Sequence, residues 1–514
     1  MIDKDSDTLR LGSTRRLLID DWVIRSKRNV SRQLHAVSKH LDNPIFCPSR
    51  PWEGTAVLLQ GAVIRDEQDG IYKMWYQTGN KDTNNFRDFR IFCYAESVDG
   101  LCWQRPELGL HDFYGQTTNN IVYVSHNDGV NYGRFLGATL IKDRQDHDPA
   151  RRYKMMNWQY SYTDKYASDI LYPSGVYSAC SPDGLRWNKV SEPVFRFSDS
   201  IGDTLNLMCD TKRNCYVAFV KIFLDPRTNR RLEFYDGGRA WRDEAGKLHP
   251  LDPKTDNPKL RQRAISVSDD FINWTTPELM FPIDEKDGAG DEHYNNTGFV
   301  YEDQYIGLLS IYHKLSGCFD TQLINSHDGL HWERAADRGN FIPAGRYYCD
   351  WDFGTSAIAG TPPLLVGDEL WFYYSARWAM HGSGPPYPVP QGEAGSAIGL
   401  ATLRRDGFVS LDANGDEGMI ETKPMVLEGE VLRVNANCGR GSLLVELIDE
   451  GAASLPALGK EICMPIASDN TRHLVQWRGV PSLRDYAKRR VRFRFYLQNA
   501  SLYSFWCDTE SARF

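Results

Sequence analysis

The amino-acid sequence predicts an all-β protein in which a five-bladed β-propeller precedes a C-terminal β-sandwich. Three observations predict this fold: a turn motif that recurs along the chain, aromatic strand-like segments between its copies, and alternating strands near the C-terminus. We expect an N-terminal segment over residues 1–45, the propeller over 46–411 and the sandwich over 419–514. The N-terminal segment is expected to latch onto the propeller by adding a strand over 16–24 to the last blade.

The recurring motif has the form Ser-x-Asp-(Gly/Asp)-(Leu/Phe)-x-Trp. Four copies end in a tryptophan: Ser97–Trp103, Ser181–Trp187, Ser268–Trp274 and Ser326–Trp332. A fifth and degenerate copy, Arg405–Phe408, ends in an apolar residue. The uneven spacing of the copies is typical of propeller blades with variable loops rather than of a solenoid. Asp99, Asp183 and Asp328 precede a glycine that suits positive φ, so we assign them to turn structure.

Strand-like segments rich in aromatic residues lie between the copies and define five units of about four strands each. Their second strands are expected over residues 71–76, 152–156, 215–219, 305–309 and 370–374. Two polar insertions, 223–262 in the third unit and 381–388 in the fifth, are expected at a pocket rim or a subunit contact. The segments 431–435, 443–447 and 491–497 alternate inward and outward side chains, which predicts the sandwich.

The composition argues against several classes of protein. The net charge of −8 and the pI of about 5.9 exclude a general nucleic-acid binder, which would require a basic surface. No run of about 18 apolar residues predicts a membrane span, and residues 1–7 lack the apolar core of a signal peptide. The 11 cysteines form no Cys-x-x-Cys pair, so we expect no metal site, free thiols and a cytoplasmic location. The glycine-rich segments have no following helix, and we expect no cofactor.

Acidic residues recur near the predicted innermost strands, which line the central channel of a propeller. Four units place an acid at matching distances before their second strand: Glu53, Asp203, Glu292 and Asp352. The second unit has Arg134 there. A ring of carboxylates suits glycosidic cleavage, because one acid protonates the leaving oxygen while another activates water or attacks the sugar. We expect mutual repulsion and partial burial to raise the pKa of one acid.

Asp203 and Glu292 are the predicted acid/base or nucleophile pair, and Glu53 and Asp352 are expected to tune that pair or to bind sugar hydroxyls. An acid near a strand end is also a common turn residue, and only its repetition across units favours catalysis. The expected substrate-binding residues offer aromatic faces, cations and hydrogen-bonding groups: Trp52, Arg134, Asn206, His293, Tyr294, Trp351, Arg377 and His381.

Several phrases of the sequence resemble bacterial five-bladed propeller glycoside hydrolases described as family 32-like and related to families 43 and 68. These phrases are Leu18–Asp21, Arg50–Glu53, Tyr72–Tyr76 and Ile398–Phe408. The resemblance runs over almost the whole chain and implies hydrolysis of glycosides, often furanosides. The standard family 32 motifs Trp-x-Asn-Asp-Pro-Asn, Arg-Asp-Pro and Glu-Cys are absent at the expected blade positions. Asp225–Arg227 has related letters in another order, and Gln60–Gly61 stands where family 43 would place an aspartate, so no catalytic role is transferred.

These observations favour a cytoplasmic glycoside hydrolase that cleaves a glycosidic bond, by preference a furanosidic one, with a carboxylate pair at the propeller axis. Its expected partner is an oligosaccharide or glycoside substrate, with no nucleic acid and no membrane, and a homo-oligomer is compatible with the sequence. One alternative is a glycoside phosphorylase or transferase, with Arg134, His293, Arg377 and His381 as phosphate-binding candidates. Another is a carbohydrate-binding propeller without catalysis.

Overall fold

The computed structural model describes residues 9–82, 87–125, 135–159, 174–196, 201–235, 238–242, 245, 247–251, 259–347, 349–354, 356–358, 362–381, 395–451, 453 and 455–509. These residues form β-strands, a few short 3₁₀ turns and no α-helix, so the all-β prediction is confirmed for them. Over the same ranges, no helix is long and apolar enough to cross a membrane.

Five short strands come first in the described chain. They are β1 (Leu9–Leu11), β2 (Arg16–Leu17), β3 (Ile24–Arg28), β4 (Ser31–Leu34) and β5 (Ser38–Lys39). Their partners lie much later in the sequence, in the last of the units described next and in two C-terminal sheets.

Five groups of antiparallel strands, called units below, follow in the described ranges. The first and the fifth belong to one ten-stranded sheet, in which Ser396 pairs in parallel with Ala56, and the other three are separate sheets. The first unit contains β6 (Ala56–Arg65), β7 (Tyr72–Asp82), β8 (Arg87–Phe89), β9 (Phe92–Ser97) and β10 (Ile121–Tyr123). The second contains β11 (Phe135–Lys142), β12 (Tyr153–Gln159), β13 (Gly175–Ser181), β14 (Asn188–Lys189) and β15 (Phe195–Arg196). The third contains β16 (Ile201–Asp210), β17 (Cys215–Asp225), β18 (Arg230–Tyr235), β19 (Gly238–Arg242), β20 (Leu248–Leu251), β21 (Leu260–Ser268) and β22 (Glu278–Leu279). The fourth contains β23 (Asp291–Tyr301), β24 (Gln304–His313), β25 (Cys318–Ser326) and β26 (Glu333–Arg334). The fifth contains β27 (Ser356–Ile358), β28 (Leu364–Val366), β29 (Glu369–Arg377) and β30 (Ser396–Arg404).

A cavity of about 550 Å³ is bordered by residues from all five units. The lining includes Val63, Ile141, Leu207 and Phe299 from the first strands of the first four units, and Leu364 from β28 of the fifth.

Hydrophobic clusters fill the spaces between successive units. Trp75 of the first unit lies 5.6 Å from Tyr153 of the second, measured between ring centroids. Trp103 of the first unit also lies 5.9 Å from Tyr373 of the fifth. Because the fifth unit packs against the first, the series of units closes on itself.

The repeated turn motif has the structural role predicted for it. Asp99 Oδ1 accepts hydrogen bonds from the N–H groups of Leu101 and Cys102, both at 2.8 Å. The other three copies form the same bonds. Gly184 has a φ of 77°, and its carbonyl accepts a 2.7 Å hydrogen bond from Trp75 Nε1 of the preceding unit. The motif thus forms a tight turn that also joins neighbouring units.

Two sheets follow the fifth unit and pack face to face around a core of their own. Their later strands are β31 (Val409–Ala413), β32 (Gly418–Thr422), β33 (Met425–Leu427), β34 (Val431–Asn437), β35 (Ser442–Asp449), β36 (Asp469–Leu474), β37 (Arg490–Gln498) and β38 (Ala500–Asp508). One sheet has the order β1-β33-β37-β32-β3, with β35 also on β37. The other has the order β36-β34-β38-β31-β4, with β2 also on β38.

The N-terminal segment differs from the expectation of a strand over 16–24 in the last blade. Strands β1 to β4 pair with the C-terminal sheets, and only β5 joins the fifth unit, beside β30. The reason is hydrophobic burial: Leu18, Val23 and Ile24 lie in the core between the two C-terminal sheets. Leu17 and Ile19 point instead into the cluster between the fourth and fifth units.

Candidate functional site

The candidate site lies where the first strands of the third and fourth units begin. Asp203 stands near the start of β16, and Tyr294 near the start of β23. Both strands have irregular register at these points, between Ile201 and Leu205 and between His293 and Asn295. Such irregularities redirect side chains away from the regular alternation of a strand. The two residues are therefore presented by distorted, rather than regular, strand ends.

Asp203 forms an ion pair with Lys221 of β17. The lysine side chain is 3 % exposed and that of the aspartate 32 %, so the pair is mostly shielded from water. Gly202 makes room for it, because a Cβ atom there would lie 2.4 Å from Lys221 Cε. Burial alone would raise the pKa of Asp203, but the charge and hydrogen bond of Lys221 lower it to about 2. Asp203 is thus an ionised carboxylate at neutral pH, so it is not the one acid whose pKa was expected to be raised.

Two cationic side chains lie close to the ring of Tyr294. Lys221 Nζ lies 4.6 Å from the ring centroid and the guanidinium of Arg261 lies 5.6 Å from it. Arg261 is also 5.6 Å from the ring of Tyr312. Burial raises the pKa of Tyr294 above its usual value, so its hydroxyl keeps its proton and remains a hydrogen-bond donor.

Glu292 lies beside this cluster and is almost fully buried, with a side-chain exposure of 2 %. It forms an ion pair with Arg261, and Lys314 Nζ lies 3.7 Å from its Oε1 atom. The carboxylate thus holds the guanidinium that faces the two tyrosine rings. Asp203 and Glu292, the predicted pair, are brought to one region, each with its own cationic partner.

His381 contacts the same aromatic rings. Its ring centroid lies 4.9 Å from that of Tyr294, 4.8 Å from Tyr312 and 5.7 Å from Phe319. Burial, followed by the charges of Arg261 and other nearby cations, lowers the pKa of His381 to about 4. The imidazole is therefore neutral at pH 7 and is not the cation that the phosphorylase alternative assumed.

Arg377 lies close enough to this cluster for its charge to affect the pKa values of Tyr294 and His381. Burial lowers its pKa, and Tyr294 and Arg90 are the groups that act on it most strongly after burial. The predicted residues Asp203, Tyr294, Arg377 and His381 are thus close enough for the charge of one to affect the pKa of another. Glu292 is linked to them through its ion pair with Arg261.

Glu53 and Trp52 lie in a separate network of the first unit. The fully buried carboxylate of Glu53 accepts hydrogen bonds from the Tyr76 hydroxyl at 2.5 Å and from Arg105 Nε at 2.6 Å. Trp52 Nε1 donates to Asn120 Oδ1 at 2.7 Å. These contacts occupy both side chains within the protein, so they support a structural role rather than the expected tuning of Asp203 or stacking on sugar.

Asp352 and Trp351 have an equivalent arrangement in the fifth unit. Asp352 accepts a 2.9 Å hydrogen bond from the Tyr374 hydroxyl and lies 2.5 Å from Lys39 Nζ. The ring of Trp351 stacks on that of Tyr374, with centroids 5.7 Å apart. The acid thus ties the N-terminal segment to the fifth unit and does not contact the Asp203 cluster.

The other predicted binding residues are placed away from the reacting groups. Asn206 Nδ2 donates to the Asn296 carbonyl at 2.7 Å and so joins the third unit to the fourth. His293 is fully buried, with its ring centroid 5.2 Å from that of Phe281. Burial lowers the pKa of His293 to about 4. Arg134 lies outside the described residues.

Sequence reasoning missed the cations Lys221, Arg261 and Arg263. Signals for them were present: Lys221 is the one charged residue within the otherwise apolar run Val217–Leu224. Arg261 and Arg263 are two positions apart in β21 and therefore share a face. The spacing argument concerned only acids and sugar-stacking residues. Within the described ranges, no group of histidine, cysteine and acidic side chains could hold a metal ion.

Comparisons with known proteins give matches of structure only. No family model and no curated protein sequence matches the chain. A solved structure titled "Glycoside hydrolase" is similar, with 15 % identity, a TM-score of 0.45, and coverage of 73 % of this chain and 92 % of that one. A β-1,2-mannobiose phosphorylase from Listeria innocua is similar at 10 % identity, with a TM-score of 0.44 and coverage of 72 % and 97 %. An N-acetylgalactosamine deacetylase from F. plautii is similar at 14 % identity, with a TM-score of 0.42 and coverage of 73 % and 97 %.

Proposed function

We propose that this chain is a carbohydrate-active enzyme that cleaves a glycosidic bond at Asp203. One observation carries the proposal: an ionised carboxylate is held beside buried Lys221, with the aromatic rings of Tyr294 and Tyr312 close by. Aromatic faces can stack on sugar rings, and a fixed carboxylate is the group that glycosidic cleavage uses. The eleven free cysteines support a reducing, cytoplasmic location as part of the same proposal.

We also propose that residues 46–411 form a five-bladed propeller, which sets this site at a central axis. The closed series of inter-unit clusters supports it, as does a cavity lined by residues from all five units. Membership of the family 32-like group is part of the proposal and rests on the sequence phrases that resemble it.

In the proposed reaction, Asp203 acts as the base or the nucleophile because it is ionised. It either accepts a proton from a water molecule that attacks the anomeric carbon, or attacks that carbon itself to form a glycosyl ester that water then hydrolyses. In both cases the bond from the anomeric carbon to the leaving oxygen breaks, and that oxygen takes up a proton from solvent water. Tyr294, which keeps its proton, donates a hydrogen bond to a substrate oxygen. Glu292 holds Arg261 in place through their ion pair, and we assign it this role rather than the protonation of the leaving group.

Phosphorolysis is a second candidate, and the cations of the site favour it. The charges of Lys221, Arg261 and Arg377 all lower the pKa of His381, so these cations lie near it. A phosphate ion that enters beside His381 would therefore meet several positive charges. Phosphate would then attack the anomeric carbon in place of water. A propeller that only binds sugar would instead give saturable binding and no product.

The experiment that tests this proposal is turnover of nitrophenyl furanosides, nitrophenyl pyranosides and natural oligosaccharides, each with and without inorganic phosphate. On any glycoside that is cleaved, Asp203→Asn should lower kcat by at least about a hundredfold, because it removes the reacting carboxylate. Asp21→Asn is the matched control, since Asp21 is 55 % exposed and lies in the N-terminal segment. Equal turnover by the two variants would contradict the assignment of Asp203, and turnover only with phosphate would select phosphorolysis.

A further inference from the structure

We infer that a second cavity, separate from the Asp203 site, binds a neutral sugar residue. This cavity, called the Arg334 cavity below, has a volume of about 820 Å³. Its wall comes from the connection 281–287 between the third and fourth units, from strands β23 to β26, and from the turn after β26. Cavities of about 300–1,000 Å³ are typical of small-molecule sites. The inference goes beyond the proposed function, because it assigns a ligand to a different cavity.

The sheet of the fourth unit separates the Arg334 cavity from the Asp203 site. Asp291 of β23 is the register partner of His313 of β24, and the next pair is Glu292 with Tyr312. Successive residues of a strand point to opposite faces of a sheet. Asp291 and His313 line the Arg334 cavity, whereas Glu292 and Tyr312 belong to the cluster around the Asp203 site. The two sites therefore lie on opposite faces of the same strands.

The two arginines in the wall of the Arg334 cavity are paired with carboxylates. Arg334 Nη1 lies 2.5 Å from Asp287 Oδ1. Arg338 donates to both carboxylate oxygens of Asp284, at 2.7 Å for Nη1 to Oδ1. A charged ligand would have to displace one of these partners, and a buried charge that loses its partner is unfavourable. A neutral ligand leaves the pairs intact, so the arrangement favours a neutral ligand.

His313 is held in the same way at the edge of the cavity. Its Nδ1 atom lies 2.7 Å from Asp291 Oδ1, and its Nε2 atom lies 2.9 Å from Asp320 Oδ2. Both ring nitrogens are thus occupied by carboxylates of neighbouring strands. This imidazole is therefore part of the wall that a ligand meets, and it offers no unpaired charge.

Hydrogen-bonding capacity remains in the wall after these pairs have formed. Gln322 Oε1 accepts a 2.9 Å hydrogen bond from Arg334 Nε. The amide nitrogen of Gln322 and the Nη2 atom of Arg334 form no hydrogen bond with the described residues. Both atoms donate, and the oxygens of Asp287 and Asp284 nearby can accept further bonds. Hydroxyl groups, which both donate and accept, match this mixture of donors and acceptors.

Aromatic side chains supply the apolar part of the wall. Phe281 and Trp332 both line the cavity. Trp332 Nε1 donates to the Gly329 carbonyl at 3.2 Å, so only the ring of Trp332 is available to a ligand. A sugar residue has an apolar C–H face and a rim of hydroxyl groups, and it fits a wall that combines aromatic rings with polar side chains.

His293 lies behind this wall and lacks hydrogen bonds. Its side chain is fully buried, and neither ring nitrogen has a hydrogen-bond partner among the described residues. Its ring centroid lies 5.2 Å from that of Phe281. After burial, the charges of Arg334, Asp287 and Arg338 have the largest effects on its pKa, so it lies close to the wall of the cavity. A buried polar group in this state is expected to be completed by water or by a ligand.

The test is saturation-transfer NMR of the full-length protein with glucose, galactose, mannose, fructose and arabinose, followed by titration of each sugar that binds. We expect at least one of these sugars to bind. The charged analogue of that sugar, a uronate or an amino sugar, should bind tenfold or more weakly, because it must displace an existing ion pair. No binding by any of the five sugars, or tighter binding of a charged analogue, would overturn the inference.

Variants locate the sugar in the Arg334 cavity. Gln322→Leu and Arg334→Met should each weaken its binding tenfold or more, because each removes donors from the wall. The matched control is Gln68→Leu, an exposed glutamine in the first unit, which should bind as the native protein does. If Arg334→Met fails to fold because Asp287 is left buried, Gln322→Leu still decides. Native affinity in Gln322→Leu would contradict this location.

A third variant separates this inference from the proposed function. Asp203→Asn should lose turnover and still bind the sugar in the Arg334 cavity with native affinity. Loss of sugar binding in Asp203→Asn together with native binding in Gln322→Leu would place the sugar at the Asp203 site and overturn the inference. Native turnover by Asp203→Asn would contradict the proposed function alone, so the two can fail independently.

Discussion

Lys221 is unusual at the residue scale because it is a charged side chain in the middle of an apolar strand. Burying an ammonium group is unfavourable unless an opposite charge and hydrogen bonds compensate it, and Asp203 provides both. The pair determines the charge state of the site, since burial without Lys221 would raise the pKa of the carboxylate. Lys221 thus keeps Asp203 deprotonated, and in this way it affects any reaction in which that carboxylate takes part.

Replacing Lys221 gives a prediction for the pH dependence of activity. In the native protein the pKa of Asp203 is about 2, so the carboxylate stays ionised throughout the neutral and mildly acidic range. In Lys221→Met the pKa should rise above the ordinary aspartate value, because burial then acts without the compensating charge. The acid limb of the kcat/KM profile should therefore move to higher pH by more than about one unit.

Lys212→Met is the control for this variant, because Lys212 lies in the turn between β16 and β17, at the end of β16 opposite Asp203, and is 4.9 Å from the ring of Tyr305. Its acid limb should stay where it is in the native protein. Circular dichroism checks that both variants are folded. An unshifted acid limb in Lys221→Met would mean that Asp203 does not control the rate.

The sequence predicts where the four acids lie relative to the strands better than it predicts where their side chains point. Asp203, Glu292, Glu53 and Asp352 lie at matching distances before the next strand, and each is near the start of the first strand of its unit. Spacing does not determine where a side chain points. Glu53 turns inward because Tyr76 and other donors surround it, whereas Asp203 sits in an irregular strand end.

At the scale of elements, the turn motif is the best-predicted part of the molecule. Its glycine has positive φ, and its aspartate accepts two backbone hydrogen bonds, as the sequence indicated. The structure adds a second reason for glycine at position 184. A Cβ atom there would lie 2.6 Å from Trp75 Cζ2 of the neighbouring unit.

Comparison of two glycines separates these effects on stability. Gly70 has a φ of 74°, and a Cβ atom there would meet none of the described residues within 4 Å, so Gly70→Ala should cost only the conformational term of about 1 kcal/mol. Gly184→Ala has the same strain plus a clash with Trp75 and should cost about 1 to 3 kcal/mol more. Urea unfolding of the two variants measures the difference. Equal midpoints would mean that the contact with Trp75 relaxes freely.

At this scale, the sequence does not determine which distant strands pair with each other. The alternation of residues over 16–24 indicates that a strand-like segment is buried, but it carries no information about which partner covers it. Apolar side chains on both faces allow it to contact two cores, and Leu17 and Leu18 do lie in different ones. Partner choice depends on residues hundreds of positions away.

At the scale of the whole molecule, Asp406 joins three parts of the chain. Its carboxylate pairs with Arg15 Nη1 at 2.6 Å, accepts from the Ser504 hydroxyl at 2.6 Å and accepts from the Tyr301 hydroxyl at 2.7 Å. The fifth turn motif, to which Asp406 belongs, thus contacts the C-terminal sheets as well as the fourth unit. This placement explains why that copy differs from the four that end in tryptophan.

Removal of Asp406 tests this junction. Asp406→Ala should lower the free energy of unfolding by about 3 kcal/mol or more, because Arg15 and two hydroxyl groups lose a buried partner. Lys27→Ala, which removes an exposed pair with Asp21, should change it by less than about 1 kcal/mol. Thermal and urea unfolding measure both. A cost for Asp406→Ala no larger than that for Lys27→Ala would show that the C-terminal sheets are held by other contacts.

The pairing of the first strands with the last ones has a consequence for synthesis on the ribosome. Arg15 and Asp406 are 391 residues apart in the sequence, so at about 5–20 residues per second Arg15 waits roughly 20 to 80 s for its partner. Strands β1 to β4 emerge first but have no sheet to join until the five units have been made. A chain interrupted before β37 would lack the strand on which β32, β33 and β35 all pair. The synthesis of β37 and β38 therefore controls when β1 to β4 can fold.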